Sequence, residues 1–192
     1  MTAVNDSQGR QTPQIPDGLD LPIDFVNTLD VENDSDALAT TDGLADWLHA
    51  RGLLSADKRV VDERGRLQAV DLREALRTLM LANNGGPRDD RASDELERAA
   101  RRGDLGVHFA PGGAISLAPG EQGVAGALAG VLVPVVQAIG VGSWPRAKAC
   151  RAPDCLWAFY DRSRNRSGVW CDMAVCGNRT KVRTYRNRRI RS

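Results

Sequence analysis

Four cysteines carry the most metal-directed chemistry in the chain: Cys150, Cys155, Cys171 and Cys176. They fall as two pairs, with four residues inside each pair and fifteen between the pairs. Two short-spaced pairs joined by a strand-length connector read as a zinc site. Four thiolates saturate the tetrahedral preference of Zn²⁺ and leave no open position for a substrate. The chemistry is then structural, with one zinc stapling the chain. Two disulfides or four free thiols are the alternatives the spacing leaves open, and disulfides need an oxidising compartment.

The spacing also constrains how the ligands are presented. Residues i and i+5 on a helix lie about 140° apart, so neither pair can grip one ion from an unbroken α-helix. Pro153, within Arg151-Ala152-Pro153-Asp154, sets a turn and predicts a knuckle. Asp172 can cap a helix that holds Cys176 in its first turn, where free N–H groups favour a thiolate. Trp157/Phe159 and Val169/Trp170 predict two short strands around the loop 161–168. Knuckle, hairpin and ligand-bearing helix make a treble-clef-like module.

After Cys176 the chain reads GNRTKVRTYRNRRIRS, with no acid among these residues. Such a helix buries little and repels itself unless it is solvated or paired with anions. Phosphate is the obvious anion, because Arg pairs with it bidentately and can also read guanine. Arg179, Lys181, Arg183, Arg186, Arg188 and Arg189 are the candidate nucleic-acid contacts. Three other uses compete: neutralising a thiolate-rich metal centre, complementing a helix dipole, and docking on the chain's own acidic body. The charge pattern feeds both views. Residues 144–192 hold 13 Lys/Arg against 3 Asp/Glu, whereas residues 1–143 hold 13 against 22, and the whole chain is nearly neutral at +1. A basic tail on an acidic body suggests an anionic partner for the tail.

These residues also carry a family resemblance. Trp170-Cys171, then Cys176-Gly177-Asn178-Arg179 and Lys181, resembles the CGNR zinc finger. Phe159-Tyr160-Asp161-Arg162-Ser163-Arg164-Asn165 is similar to that family's F-x-D-x-S-[KR]-N run. Ile23-Asp24-Phe25-Val26-Asn27-Thr28 resembles the opening motif of the α-rich ABATE domain that usually precedes such a finger. The resemblance implies a bacterial transcription regulator, whose finger contacts DNA and whose N-terminal domain senses a ligand or contacts partners. One departure is Ser167-Gly168-Val169, where the family commonly carries basic residues. It weighs against a phosphate role for the hairpin tip.

The positioning elements are read from periodicity. Residues 1–19 are polar, with Pro13 and Pro16, and are expected to be disordered. They contain no apolar signal core, so a cytoplasmic protein is expected. Ile23, Phe25 and Val26 are core candidates in an anchoring turn, with a pocket lined by Asp24 and Asn27 as the functional alternative. Helices are predicted over 42–51, 56–82, 89–102 and 122–139. Alternation at Val107/Phe109 and Ile115/Leu117 around Pro111-Gly112-Gly113 predicts a β-hairpin. The uncharged stretch 122–143 reads as a central core helix, with Gly123, Gly126, Gly130 and Pro134 interrupting any membrane span. His49 at a helix end and His108 on a polar strand face have no Ser or Asp partner at a telling spacing, so no enzyme is expected.

The expected architecture is mainly α with a small β-hairpin: an α-rich domain over 20–143, expected to fold alone, and a zinc module over 144–192. The favoured role is a DNA-binding regulator. The other is a protein–protein adaptor with purely structural zinc and no nucleic-acid partner.

Overall fold

The computed structural model describes residues 15–16, 18–55 and 60–190, and the side chains of Thr184 and residues 187–190 lie outside the description. Of the stretch expected to be disordered, residues 1–14 and 17 also lie outside it. The elements run α1 (Asp20–Val26), β1 (Leu29–Asp30), β2 (Ser35–Asp36), α2 (Thr41–Ala50), α3 (Glu63–Asn83), α4 (Asp90–Arg102), β3 (Leu105–Phe109), β4 (Ile115–Pro119) and α5 (Gly123–Gly140). A 3₁₀ turn (Trp144–Arg146), β5 (Ala147–Ala149), β6 (Ala158–Tyr160), a π turn (Met173–Gly177) and α6 (Asn178–Ile190) complete the described chain. The fold is mainly α, with small antiparallel strand pairs.

Local chemistry explains the helix starts. Thr40 Oγ1 accepts from the Gly43 N–H at 3.0 Å and starts α2. Asp62 Oδ1 accepts from the Gly65 N–H at 2.8 Å and starts α3 at Glu63, later than the start at residue 56 predicted from sequence. Each cap satisfies a donor that a helix N-terminus leaves open. The stretch expected to be a turn at Ile23 is instead the seven-residue helix α1, which buries Ile23, Phe25 and Val26. The hairpin β3–β4 forms as expected, with Val107 opposite Leu117 and Phe109 opposite Ile115.

Helix α5 is long and apolar enough to cross a membrane, yet half of it is buried and it packs on α1, α3 and α4. It is the core helix of the fold. Its small residues admit close neighbours: a Cβ at Gly103, the end of α4, would collide with Ala129 and the Ala125 carbonyl.

The second strand pair predicted from sequence lies elsewhere. Ala158–Tyr160 pairs with Ala147–Ala149 (Ala147 opposite Tyr160, Ala149 opposite Ala158), and Val169/Trp170 form no strand. The reason is packing. Ala147, Ala149 and Ala158 are at most 1% exposed, and such small side chains let this hairpin lie directly on α3 and α1. The Val169 carbonyl instead accepts from the Asn84 side chain at 2.8 Å.

The apolar core crosses the sequence boundary at residue 143. One cluster joins Phe25, Leu72, Leu76, Leu128 and Val131 to Ala147, Ala149 and Ala158, with Trp144 and Tyr160 packed against it. Polar side chains weld the same seam. Asn27 Nδ2 donates to the Ala158 carbonyl at 3.0 Å, and Ala158 N donates back to Asn27 Oδ1 at 2.7 Å. Asn83 donates to the carbonyls of Trp144 and Ala147, and Asn84 to that of Ala149. Asn27 therefore plays the anchoring role, and its partner is a strand of the zinc-bearing segment.

Candidate metal centre and basic surface

The turn from β5 into β6 presents the first two cysteines. Cys150 directly follows β5, its N–H bonded to the Trp157 carbonyl at 2.9 Å. Cys155 closes the Pro153 knuckle through its N–H to the Ala152 carbonyl at 3.0 Å. The other two come from the approach to α6. Asp172 Oδ1 accepts from the N–H groups of Ala174 (2.7 Å) and Val175 (3.2 Å), capping the π turn that carries Cys176. That turn bonds i to i+5, with Gly177 N reaching the Asp172 carbonyl at 3.2 Å. Cys171 precedes the cap and lies outside the turn, so the pair grips one ion from a bend and a turn together, as an unbroken α-helix would not allow.

All four sulfurs lie within 4.8 Å of one another. The Sγ–Sγ distances are 3.5 Å for Cys155–Cys171 and 3.7 Å for Cys171–Cys176. A tetrahedron with Zn–S bonds of about 2.3 Å has edges of about 3.8 Å, so the donor set fits zinc. The same distances exclude disulfides, whose S–S bond is about 2.05 Å, and all four cysteines are free thiols. Burial, then hydrogen bonding to the Cys155 thiol, pushes Cys176 up to about 12; burial and the neighbouring sulfurs also push Cys171 up. Without a cation Cys171 and Cys176 stay protonated at neutral pH, and metal binding releases those protons. Phe159 and Trp170 wall the cluster with apolar surface. The cysteines form a single zinc-binding site, closed and structural.

Helix α6 leaves this centre with Thr180 Oγ1 bonded to the Cys176 carbonyl at 2.9 Å. Arg179 is paired with Glu32 Oε1 at 2.8 Å and Asp154 Oδ2 at 3.2 Å, and Arg183 shares Asp154 Oδ2 at 2.8 Å. Lys181 and Arg186 are exposed, while the side chains of Arg188 and Arg189 lie outside the described residues. Two of the six sequence candidates are therefore engaged by carboxylates of the same chain. Glu32, between β1 and β2, supplies one of those carboxylates across 147 positions of sequence.

The family model of the ABATE domain, described as a putative stress-induced transcription regulator, matches residues 19–139. The chain belongs to the ABATE family. A second model, the CGNR zinc finger, matches residues 146–189 and encloses all four zinc ligands. No curated protein matches the chain.

The ABATE region also contributes an open cavity of about 610 Å³ at its seam with the finger, lined by Asp24, Asp30, Asp36, Trp47, Arg51 and Trp157 among others. Arg51 lies over the Trp47 ring at 4.2 Å and pairs with Asp24 at 3.2 Å. The pocket imagined around Asp24 and Asn27 exists, and one of its walls comes from the finger.

Three basic residues serve the site, and the first two were not singled out from sequence. Arg77 on α3, 3% exposed, donates to the Leu156 carbonyl (2.8 Å) and the Val26 carbonyl (2.8 Å), tying the knuckle to α1. Arg73, also 3% exposed, pairs with Asp36 at 2.6 Å. The available signal was their position beside Leu72, Leu76 and Met80 on one helical face, where a solvated arginine does not belong. Lys148 is the third. Its ammonium is buried against Asp161 at 2.7 Å, and the alternation Ala-Lys-Ala gives no hint of that.

Proposed function

We propose that this ABATE protein is a cytoplasmic, DNA-binding transcription regulator in which zinc fixes the start of a basic recognition helix. The observation that carries this reading is the joining of a capped, metal-anchored turn to α6. A defined exit direction makes Arg179, Lys181, Arg183 and Arg186 a surface rather than a loose tail, and Arg188 and Arg189 follow them in sequence. Both matching families are of regulator or zinc-finger type, which supports the same reading. The ABATE region would sense a small molecule or contact partners, and the seam cavity offers a place for the former. Titration of duplex DNA against salt tests the proposal. Each neutralised phosphate adds about 0.9 to the slope of log affinity against log salt. Arg183→Ala/Arg186→Ala should flatten that slope with zinc content and thermal transition unchanged.

A second reading, a protein–protein adaptor, draws on the β3–β4 hairpin. Val107, Phe109 and Ile115 are 58%, 75% and 67% exposed, an apolar strip of the kind that marks a protein contact. This reading predicts no salt-dependent DNA binding at all.

A further inference from the structure

The loop 161–168 between β6 and Cys171 carries three arginines that the metal centre does not use. Arg162, Arg164 and Arg166 are exposed, and among the described residues none of them has an ion-pair partner. Around them the backbone is tied down from inside. The Lys148 ammonium donates to Asp161 Oδ2 (2.7 Å) and to the carbonyls of Arg166 (2.6 Å) and Gly168 (3.0 Å). The Asp161 carboxylate also accepts from the N–H groups of Ser163 and Gly168, each at 2.9 Å. Arg146 donates to the carbonyls of Asp161 (2.9 Å) and Ser163 (2.8 Å), and Ser167 N closes on Ser163 Oγ at 2.9 Å.

This construction also explains the departure from the family's basic pattern at 167–169. A Cβ at Gly168 would sit 2.8 Å from Asp161 Oδ1, so no side chain fits where the loop folds over the carboxylate. The positive charge stands at alternate positions 162, 164 and 166 instead. A solvated loop needs no such interior, because burying the Lys148–Asp161 pair costs desolvation. What the interior achieves is a fixed backbone that carries three arginines close together, which lowers the backbone entropy lost when an anion is bound. Arg is the side chain suited to phosphate oxygens, through its planar fork.

We infer that this loop is a second nucleic-acid surface, in which Arg162, Arg164 and Arg166 contact backbone phosphates of duplex DNA in addition to the contacts made by α6. The inference rests on reading the chain as a DNA-binding protein, and it reverses the expectation that the hairpin tip has no phosphate role.

The test is salt-titrated binding of full-length, zinc-loaded protein to duplex DNA. Arg162→Gln/Arg164→Gln/Arg166→Gln should lower the salt slope by up to about 2.7 and weaken binding at low salt by about tenfold or more. Zinc content and thermal transition should stay at parental values. Arg64→Gln/Arg88→Gln/Arg91→Gln, three exposed arginines of the ABATE region, makes the same change in net charge and should leave the slope unaltered. Parental slope and affinity in the loop variant would overturn the inference while the function stands, provided that the α6 variant still loses slope. An equal loss in the ABATE-region control would also overturn it, because net charge alone would then account for the effect. A parent protein that binds no duplex DNA would overturn both readings together.

Discussion

Helix α6 and the loop 161–168 both present arginine, and the chain prepares them in opposite ways. The helix is held at one end, by Cys176 and the Asp172 cap, and two of its arginines are occupied by Asp154 and Glu32. The loop is held along its length by a buried lysine, a buried aspartate and Arg146, and its three arginines point to no partner among the described residues. One surface depends on the metal and carries its own competing anions. The other depends on an ion pair and is open. On the proposed DNA-binding function, an acid held against the basic helix sets a threshold that an incoming phosphate has to beat, whereas the loop has no such threshold, and encounter through the loop followed by engagement of α6 is the order to expect.

The largest expected effect separates the two by their anchors. Structural zinc contributes about 10–16 kcal/mol to folding in small finger peptides. Removing it with a chelator, or substituting Cys176→Ala, should release the π turn and α6. The loop should persist, because β5 and β6 remain packed on α3 and α1 and Lys148 is untouched. Hydrogen exchange should show the amides of residues 174–183 losing protection while those of 163–168 keep theirs. Simultaneous loss in both segments would mean that zinc supports the loop as well, and the contrast would collapse.

Next in size is the loop's own anchor. Lys148→Met leaves Asp161 as a buried charge without its counter-ion, a change that costs about 3–5 kcal/mol. The denaturation midpoint should fall, while zinc content and α6 protection stay at parental values. Acid adds a check of sign. Asp161 is opposed by burial, but hydrogen bonds from Lys148 and Ser163 dominate and hold it at about 2, below its ordinary value of 3.8. A depressed carboxyl stabilises the fold fully above its unfolded pKa, and that contribution fades as pH falls from about 4 towards about 2. The parent should therefore lose stability through this window, and Lys148→Met should lose less. An equal acid response in both would show that the pair does not carry the loop.

The contrast also marks what could be read from residues alone. The four ligands, the Asp172 cap and the knuckle were legible because metal ligation and capping demand particular residue types at short spacings. Most helices were legible from periodicity, as in α2 and α5. The pairing of Ala158–Tyr160 with Ala147–Ala149 was not: Trp157/Phe159 marked one strand, but its partner Ala147-Lys148-Ala149 has only small residues about a lysine and leaves no apolar alternation to read. Nor were Arg77, Lys148 and Asn84, whose partners Leu156, Asp161 and Ala149 are set by tertiary approach. The seam between the two regions was hidden for the same reason. Residues 20–143 show enough apolar faces for a core of their own, and nothing in their pattern reveals that Ala147, Ala149 and Ala158 complete it.

The smallest effect tests the threshold on α6 directly. Asp154 holds Arg183 at 2.8 Å and Arg179 at 3.2 Å from the same oxygen, with its side chain 39% exposed. Exposed pairs of this kind contribute about 0.2–1 kcal/mol to stability, so Asp154→Asn should barely move the thermal transition. Its effect on DNA should be the larger one. Arg183 becomes free and Arg179 keeps only Glu32, so affinity at low salt should rise a few-fold and the salt slope should steepen by up to about 0.9 for each arginine that gains a phosphate. Glu32→Gln, acting on Arg179 from the ABATE side, should do the same to a lesser degree, and the two together should approach the sum, because both release one helix. If Asp154→Asn leaves affinity and slope at parental values, the carboxylates are no obstacle to phosphate. The helix arginines would then exchange partners freely, and the difference between the two surfaces would lie in their anchoring alone.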